Sequence, residues 1–431
     1  ELPSASRFRR NTCPSLMKIE LITIGDELLL GFTIDTNAAH LARALADIGV
    51  QIERRTTVGD TAEEIGAAVR EALDRTGAVI TTGGLGPTSD DLTKASIATL
   101  FGRGMRFDEE HWAWMAERWR TRFQREIPEA NRQQAMIPDG ATKLRNNHGS
   151  APGIWLEDER GRWVAMLPGV PREMRGMLAD TLLPMLRERV TGDRVVRSRT
   201  LRTTGVPESL IAERVGAIDG GVGDVALAYL PNVDGVDLRV TVRGASSAEA
   251  DRRLDGAVRR LRDAFPREIY GEGDADLAAV VLELCRARGL RLAVGESCTG
   301  GMLGARVTRI PGSSDVFVGG VIAYANEIKT SLLGVAADLI RAHGAVSEEV
   351  ARAMASGARA RTGAEIGVGI TGIAGPDGGT PEKPVGTVWI AADVRGDARA
   401  ALLHSWGDRE EVRQRAAQAA LNLVRRMLAG D

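Results

Sequence analysis

Residues 290–301 read LRLAVGESCTGG, and this stretch decides the fold. Its first half is a short apolar run of the kind found in a strand buried on both faces. It stops at a corner of small polar residues and glycines, and a helical pattern over 299–309 follows. A buried strand that turns through such a corner into a helix is the repeating unit of an α/β sheet. Outward from it, helical spacing over 275–288 precedes the strand. VFVGGVIAY (316–324) is a second strand leading to a short helix, and 347–362 is again helical. The strands EIGVGITG (365–372), VGTVWIAADV (385–394) and ALLHSWG (401–407) come next. The last helix, 409–429, carries Val412, Ala416, Ala419, Leu423 and Met427 on one face.

A second series of the same kind opens the chain. KIELITIG (18–25), QIERRTTVG (51–59) and GAVITTGG (77–84) are strands, and 35–49 and 61–75 are helices between them. Residues 108–126 form a Trp-rich helix whose Trp112, Trp119 and Phe123 are expected to pack against the sheet or a partner subunit. Between the two series the order changes to strand 195–204, helix 207–217, strands 224–230 and 236–243, and helix 246–264. A linker, REIYGEGDAD (267–276), follows. The GxxG at Gly220–Gly223 precedes a strand here, whereas in an RNA-binding KH domain it joins two helices. The expected fold is therefore α/β: two three-layer αβα domains with mainly parallel sheets (17–185 and 275–431), joined by a small α+β, KH-like unit (190–270).

The totals agree. A chain of 431 residues exceeds one core. Hydrophobic residues at 43% and charged residues at 26% are ordinary for a globular protein. The net charge of −2 argues against nucleic acid as a partner, and no apolar run reaches the length of a membrane helix. Three cysteines without paired spacing argue against a disulfide framework or zinc site and fit a reducing cytoplasm. Residues 1–16 lack a signal pattern and read as a disordered extension before a natural start at Met17.

Two stretches carry chemistry. In TTGGLGPTSDDLT (81–93), Gly83, Gly84 and Gly86 permit close approach of a ligand. A helix starting near Asp90, with Ser89 as a candidate N-cap, would offer amides and a positive dipole end to phosphate. Asp90 and Asp91 suit a hard divalent ion such as Mg²⁺, or they are first-turn acids that stabilise the helix. Asp26 and Glu27 follow another strand end, the edge where open α/β sheets bind ligands.

In GESCTGG (295–301) the nucleophile is Ser297 or Cys298. Strand alternation puts Cys298 into packing if Ser297 faces the crevice, and no histidine is near in sequence, so Ser297 is preferred. Helix N-terminal amides at the corner could hold an oxyanion. Lys329 could activate the serine if burial lowers its pKa, or it is a surface lysine; Tyr324 either assists or packs at the edge. Thr371 ends the next strand, Lys383 is a candidate for phosphate, and Arg409 and Arg413 are phosphate partners or an exposed helix face.

TIGDELLLGFTIDTN (23–37), TTGGLGPTSDDLT and MLPGVPREM (166–174) resemble the molybdopterin-binding-like domain of the CinA family of competence/damage-inducible proteins. ESCTGG, YANEIK (324–329), GITGIAGPDGGTPEKPVGTV (369–388) and GDREEVR (407–413) resemble its C-terminal domain, known as nicotinamide mononucleotide (NMN) deamidase. The resemblance implies a serine amidohydrolase with Ser297, Lys329, Tyr324 and Thr371 as catalytic residues and no cofactor. It places Glu296, Thr299, Gly300, Gly301, Gly372, Gly375, Lys383, Arg409 and Arg413 on the substrate. For the first domain it implies ADP-ribose pyrophosphatase activity with a divalent metal on Asp90 and Asp91. There Asp26, Glu27, Asn37, Gly83, Gly84, Gly86 and Thr88 would line the pocket. A cytoplasmic homodimer acting in pyridine-nucleotide salvage is the resulting expectation. A regulatory protein of competence or DNA repair, or a molybdopterin-binding protein, is the alternative.

Overall fold

A computed structural model describes residues 17–88, 90–190 and 194–430. The expected extension 1–16 and the Ser89 cap lie outside the described residues. The chain forms two compact units, one built on residues up to 197 with 242–251, the other on 198–241 and 252 onward.

The first unit holds a six-stranded sheet in the order β2-β1-β3-β8-β7-β6. Its strands are β1 (Met17–Ile24), β2 (Val50–Val58), β3 (Ala78–Thr82), β6 (Thr142–Leu144), β7 (Gly153–Glu157) and β8 (Trp163–Leu167). A separate two-stranded ladder pairs β4 (Met105–Phe107) with β5 (Met136–Pro138). β2, β1, β3 and β8 run parallel, while β7 and β6 add an antiparallel flank. Strand alternation separates two cores. Ile19, Leu21 and Ile80 pack with Leu41 and Leu45 on one face; Ile22, Ile24 and Val79 pack with Ile65 and Val69 on the other. The Trp-rich helix is Glu109–Phe123, but its buried residues are His111, Met115 and Ala116. Phe123 is exposed, with Trp119 against it at 4.7 Å, so Phe123 does not pack against the sheet.

The second unit carries a four-stranded sheet in the order β10-β11-β9-β12. These are β9 (Arg194–Thr203), β10 (Ala226–Asn232), β11 (Gly235–Ser246) and β12 (Ile269–Glu272). β12 corrects the expected linker: it pairs antiparallel with β9 and buries Ile269 and Tyr270. Four residues in a setting rich in Gly and Asp gave no readable period. The Gly220–Gly223 loop is clasped by Arg260, whose Nη1 donates to the carbonyls of Gly220 (3.1 Å) and Gly221 (2.7 Å). Within the same unit, Arg306 binds Asp234 at 3.1 Å and Asp276 at 3.0 Å, and Arg425 donates to the carbonyl of Arg267.

The last sheet has the order β14-β13-β15-β16-β17, from β13 (Leu292–Glu296), β14 (Phe317–Ile322), β15 (Ile366–Gly372), β16 (Thr387–Val394) and β17 (Asp397–His404). β14, β13 and β15 are parallel, and β16 and β17 form an antiparallel flank. Helices Leu277–Arg288 and Arg409–Ala429 cover one face; Asn326–Leu333 and Glu348–Thr362 cover the other. The last of these sits directly on β15, because a Cβ at Gly369 would lie 2.2 Å from the carbonyl of Ala351. Among the described residues no helix is long and apolar enough to cross a membrane.

Candidate active site

The parallel register sets up the C-terminal site. Glu296 lies opposite Ile322 of β14 on one side and Ile370 of β15 on the other. β13 and β14 thus end level, with Ser297 and Ala323 as their next residues, and beside them Thr371 lies one step further along β15, which runs on to Gly372. Two backbone bonds fix this edge, Ala323 N to Glu296 O (2.7 Å) and Ser297 N to Ile370 O (2.9 Å). A cavity of about 270 Å³ opens there. Ser297, Tyr324, Lys329, Thr371, Gly372, Gly375 and Arg409 line it, as the sequence led us to expect.

Ser297 is 8% exposed, and its hydroxyl has no hydrogen-bond partner among the described residues. Cys298 is 5% exposed and packs in the core with Leu303 and Ile370. Burial pushes its thiol up to about 11, so almost no thiolate is present at neutral pH. Lys329 is 2% exposed, which overturns the surface alternative. Burial lowers its pKa, opposed more weakly by Cys298 and Glu327, and its Nζ donates to the carbonyl of Tyr324 at 3.1 Å. The Tyr324 hydroxyl accepts from Arg409 Nη2 at 2.9 Å, and Arg409 Nη1 donates to Gly375 O at 2.6 Å.

Other expected contacts go elsewhere. The helix after the corner starts at Met302, not Thr299, and has only seven residues. Glu296, 1% exposed, turns inward and accepts from the amides of Gly301 (3.1 Å), Leu303 (3.1 Å) and Gly304 (2.8 Å). Those amides are therefore not free for an oxyanion, and Glu296 shapes the corner rather than touching substrate. Thr299 is fully buried, and its carbonyl accepts from Arg413. Gly300 and Gly301 serve the turn: Gly301 has φ +93°, and a Cβ there would come within 3.0 Å of Ile322. Arg413 braces the corner from behind and pairs with Glu410. Lys383 does not line this cavity; its Nζ donates to the carbonyls of Val346 (2.7 Å) and His343 (3.1 Å). The Thr371 hydroxyl donates to Ala345 O at 2.7 Å, so it is a brace and not a free acid. Asn326 and Asp377 also line the cavity and were not foreseen. Asn326 begins the helix that carries Lys329, and that position was the available signal; Asp377 is hidden in a glycine loop.

The first unit has a cavity of about 470 Å³ at the carboxyl edge of β1 and β3. Glu27, Asn37, Gly83, Gly84, Gly86, Asp90 and Asp91 line it as expected, together with Asp60 and Glu173, which were not foreseen. Asp26 and Thr88 do not line it. Asp26 and Asp60 each accept the other's backbone N–H on a carboxylate oxygen, and the helix begins at Thr93 rather than Asp90. Asp91 accepts from Gly86 N (2.7 Å) and from Thr88 N (2.8 Å) and hydroxyl, so both its oxygens hold the loop. Asn37 donates to Gly169 O at 2.7 Å, and its own oxygen is buried without a partner among the described residues. Among the described residues no three His, Cys, Asp or Glu side chains gather as a metal cage. An ion of the Mg²⁺ kind would need no such cage, because it binds through one or two carboxylates plus substrate phosphates.

Comparison with known proteins gives three family matches along the chain. Residues 20–188 match the "Probable molybdopterin binding domain", 198–271 the "Damage-inducible protein CinA KH domain", and 274–428 the "CinA C-terminal domain". A CinA-like protein of Gemmatimonas aurantiaca is 65% identical over 416 residues, 96% of this chain and 97% of its own. A CinA-like protein of Salinibacter ruber is 43% identical over 417 residues, 96% of this chain and 100% of its own. Among solved structures, the competence/damage inducible protein CihA from Agrobacterium tumefaciens is 38% identical with a TM-score of 0.34, covering 34% of this chain and 90% of that one.

Proposed function

The chain belongs to the CinA family, and from that premise we propose that its C-terminal site is a serine–lysine amidohydrolase acting on NMN. One observation carries the reading: a buried, unpartnered Ser297 hydroxyl shares a cavity with a lysine whose proton affinity burial has lowered. Ser297 Oγ attacks the carboxamide carbon while its proton passes to neutral Lys329 Nζ. The resulting ammonium returns that proton to the departing nitrogen, and ammonia leaves an acyl-serine. Water then attacks the ester carbon and Lys329 takes the water's proton. Collapse releases nicotinate mononucleotide and restores the Ser297 hydroxyl. Arg409, at the cavity mouth, is the cation for the substrate's phosphate; to bind it, the guanidinium exchanges its bonds to Tyr324 and Gly375.

For the first unit we propose hydrolysis of ADP-ribose to AMP and ribose 5-phosphate. A divalent ion held by Asp90 and by the substrate's own diphosphate would supply charge neutralisation there. Asp91 keeps the 86–88 loop in shape, and Glu27 and Asp60 face the same cavity.

Product analysis of the full chain with NMN, and separately with ADP-ribose and Mg²⁺, tests both readings. Asp91→Asn should lower diphosphate cleavage about a hundredfold, since the loop loses charge-assisted bonds, and leave deamidation within about twofold. Release of nicotinamide instead of ammonia from NMN would sink the amidohydrolase reading. An Asp91→Asn protein that cleaves ADP-ribose at the wild-type rate would remove the loop argument.

A further inference from the structure

The connection His343–Ser347 forms one wall of the C-terminal cavity through Ala345 and Val346. Its backbone acceptors are used in succession. Lys383 Nζ donates to His343 O (3.1 Å) and Val346 O (2.7 Å), Ser347 Oγ to Gly344 O (2.9 Å), and Thr371 Oγ1 to Ala345 O (2.7 Å). Four consecutive carbonyls are therefore satisfied by side chains from three parts of the chain. The N–H groups of Ala345 and Val346 have no acceptor among the described residues. The wall also leads into the amino end of the 15-residue helix Glu348–Thr362, where the backbone dipole favours negative charge. A separate observation marks the same cavity as built for a ligand: the Ser297 hydroxyl, 8% exposed, has no partner among the described residues.

Lys383 belongs to the loop after β15, whose Ile373, Ala374 and Gly375 form another wall of the same cavity. Its ammonium thus ties the two walls together from outside the cavity. We propose that Lys383 is a positioning residue of this site: with Thr371 and Ser347 it uses up the carbonyls of 343–346, so that this wall offers N–H donors to an anionic oxygen of the substrate. That oxygen is either the one that develops on the carboxamide carbon or one on the phosphate. The start of the Met302–Thr308 helix cannot fill this role, because Glu296 occupies its amides. The choice of substrate rests on the deamidase reading; the positioning role does not.

The test compares Lys383→Met, which keeps the stem and loses the donors, with Lys383→Arg, whose guanidinium can still donate to two carbonyls. In the full chain, kcat/KM for NMN should fall about tenfold in the Met variant and stay within about threefold of wild type in the Arg variant. The phosphate-free riboside of nicotinamide separates the two sources. An equal loss on NMN and riboside, carried by kcat, assigns the donors to the oxyanion. A loss on NMN alone, carried by KM, assigns them to the phosphate. Either outcome supports the proposal, and an unchanged kcat/KM on both overturns it. Amide hydrogen exchange over 343–347, measured without substrate, should speed up in Lys383→Met and be restored in Lys383→Arg. If exchange there is unchanged, Lys383 does not hold the wall. A wild-type protein inert on NMN that still shows the exchange effect would sink the deamidase reading and leave the positioning role standing.

Discussion

Each unit buries one lysine beside a ligand-sized cavity at the carboxyl edge of a parallel sheet. Lys94, near the start of the helix Thr93–Leu100, is 3% exposed, and Lys329 is 2% exposed. Both spend their ammonium on backbone carbonyls: Lys94 on Gln133 (2.7 Å) and Gln134 (3.3 Å), Lys329 on Tyr324 (3.1 Å). Burial lowers the pKa of both, that of Lys94 to about 8 against a smaller upward pull from Asp91. The difference lies in what they can reach. Lys329 lines a cavity with a free hydroxyl; Lys94 sits behind the segment it holds and lines none of its neighbouring cavity. A depressed pKa is thus a consequence of burial, and it becomes catalytic only where the nitrogen meets a reacting atom.

The largest effect should separate the two lysines outright. Lys329→Met and Ser297→Ala should each lower NMN deamidation by about a thousandfold or more, because either one removes half of the nucleophile–base pair. Lys94→Met should leave ammonia release within about twofold, and Cys298→Ala within about fivefold. A dead Cys298→Ala beside an active Ser297→Ala would transfer the chemistry to the thiol. A dead Lys94→Met would show that the contrast between the lysines is false.

The next effect concerns protons on Lys329. The base is active only when neutral, so kcat/KM should rise about tenfold per pH unit below its pKa and then level off. The plateau should begin below the ordinary lysine value of 10.5, in line with the lowered pKa. Lys329→Arg should be inactive across the range, since guanidinium keeps its proton. A flat profile from pH 6 to 9 with full activity would mean that some other group takes the serine's proton.

Much of this was legible before any coordinates. Apolar runs ending in glycine corners placed most of the strands of both large sheets, and the helix Arg409–Ala429 coincides with the stretch that its one-sided apolar spacing marked. Seven of the residues expected around GESCTGG do line one cavity. What stayed hidden is the direction in which polar groups turn. Glu296 stands in the motif like a ligand contact, yet its carboxylate folds back onto its own corner. Lys383 sits in a loop that looks made for phosphate and braces a wall instead. Nothing in the stretch TSDDLTK marks Lys94 as buried, because its carbonyl partners come from residues about 40 positions away. Chain-distant partners of this kind leave no local period or spacing to read.

The smallest effect tests the other lysine by stability alone. Folding takes the Lys94 ammonium out of water, so the folded form binds its proton less tightly than the unfolded chain does. Between about pH 8 and 10.5 the unfolded chain holds a proton that the folded one has released. The sign follows from linkage: stability rises with pH wherever the unfolded state binds more protons, so this contribution is present at high pH and lost as pH falls through about 8. By pH 9 the gain over pH 7 should be about 1.4 kcal/mol, one pKa unit's worth. Lys94→Met has no such proton, so the difference in unfolding free energy between wild type and variant should change by that amount across the interval. Urea unfolding of the full chain followed by tryptophan fluorescence reads it, since Trp112, Trp114, Trp119, Trp155 and Trp163 all lie in the unit that holds Lys94. Groups common to wild type and variant cancel in the difference between them. A difference that stays flat from pH 7 to 9 would mean that Lys94 keeps its proton in the fold. Its two carbonyl bonds would then outweigh its burial, and the kinship between the two lysines would end at their position in the sheet.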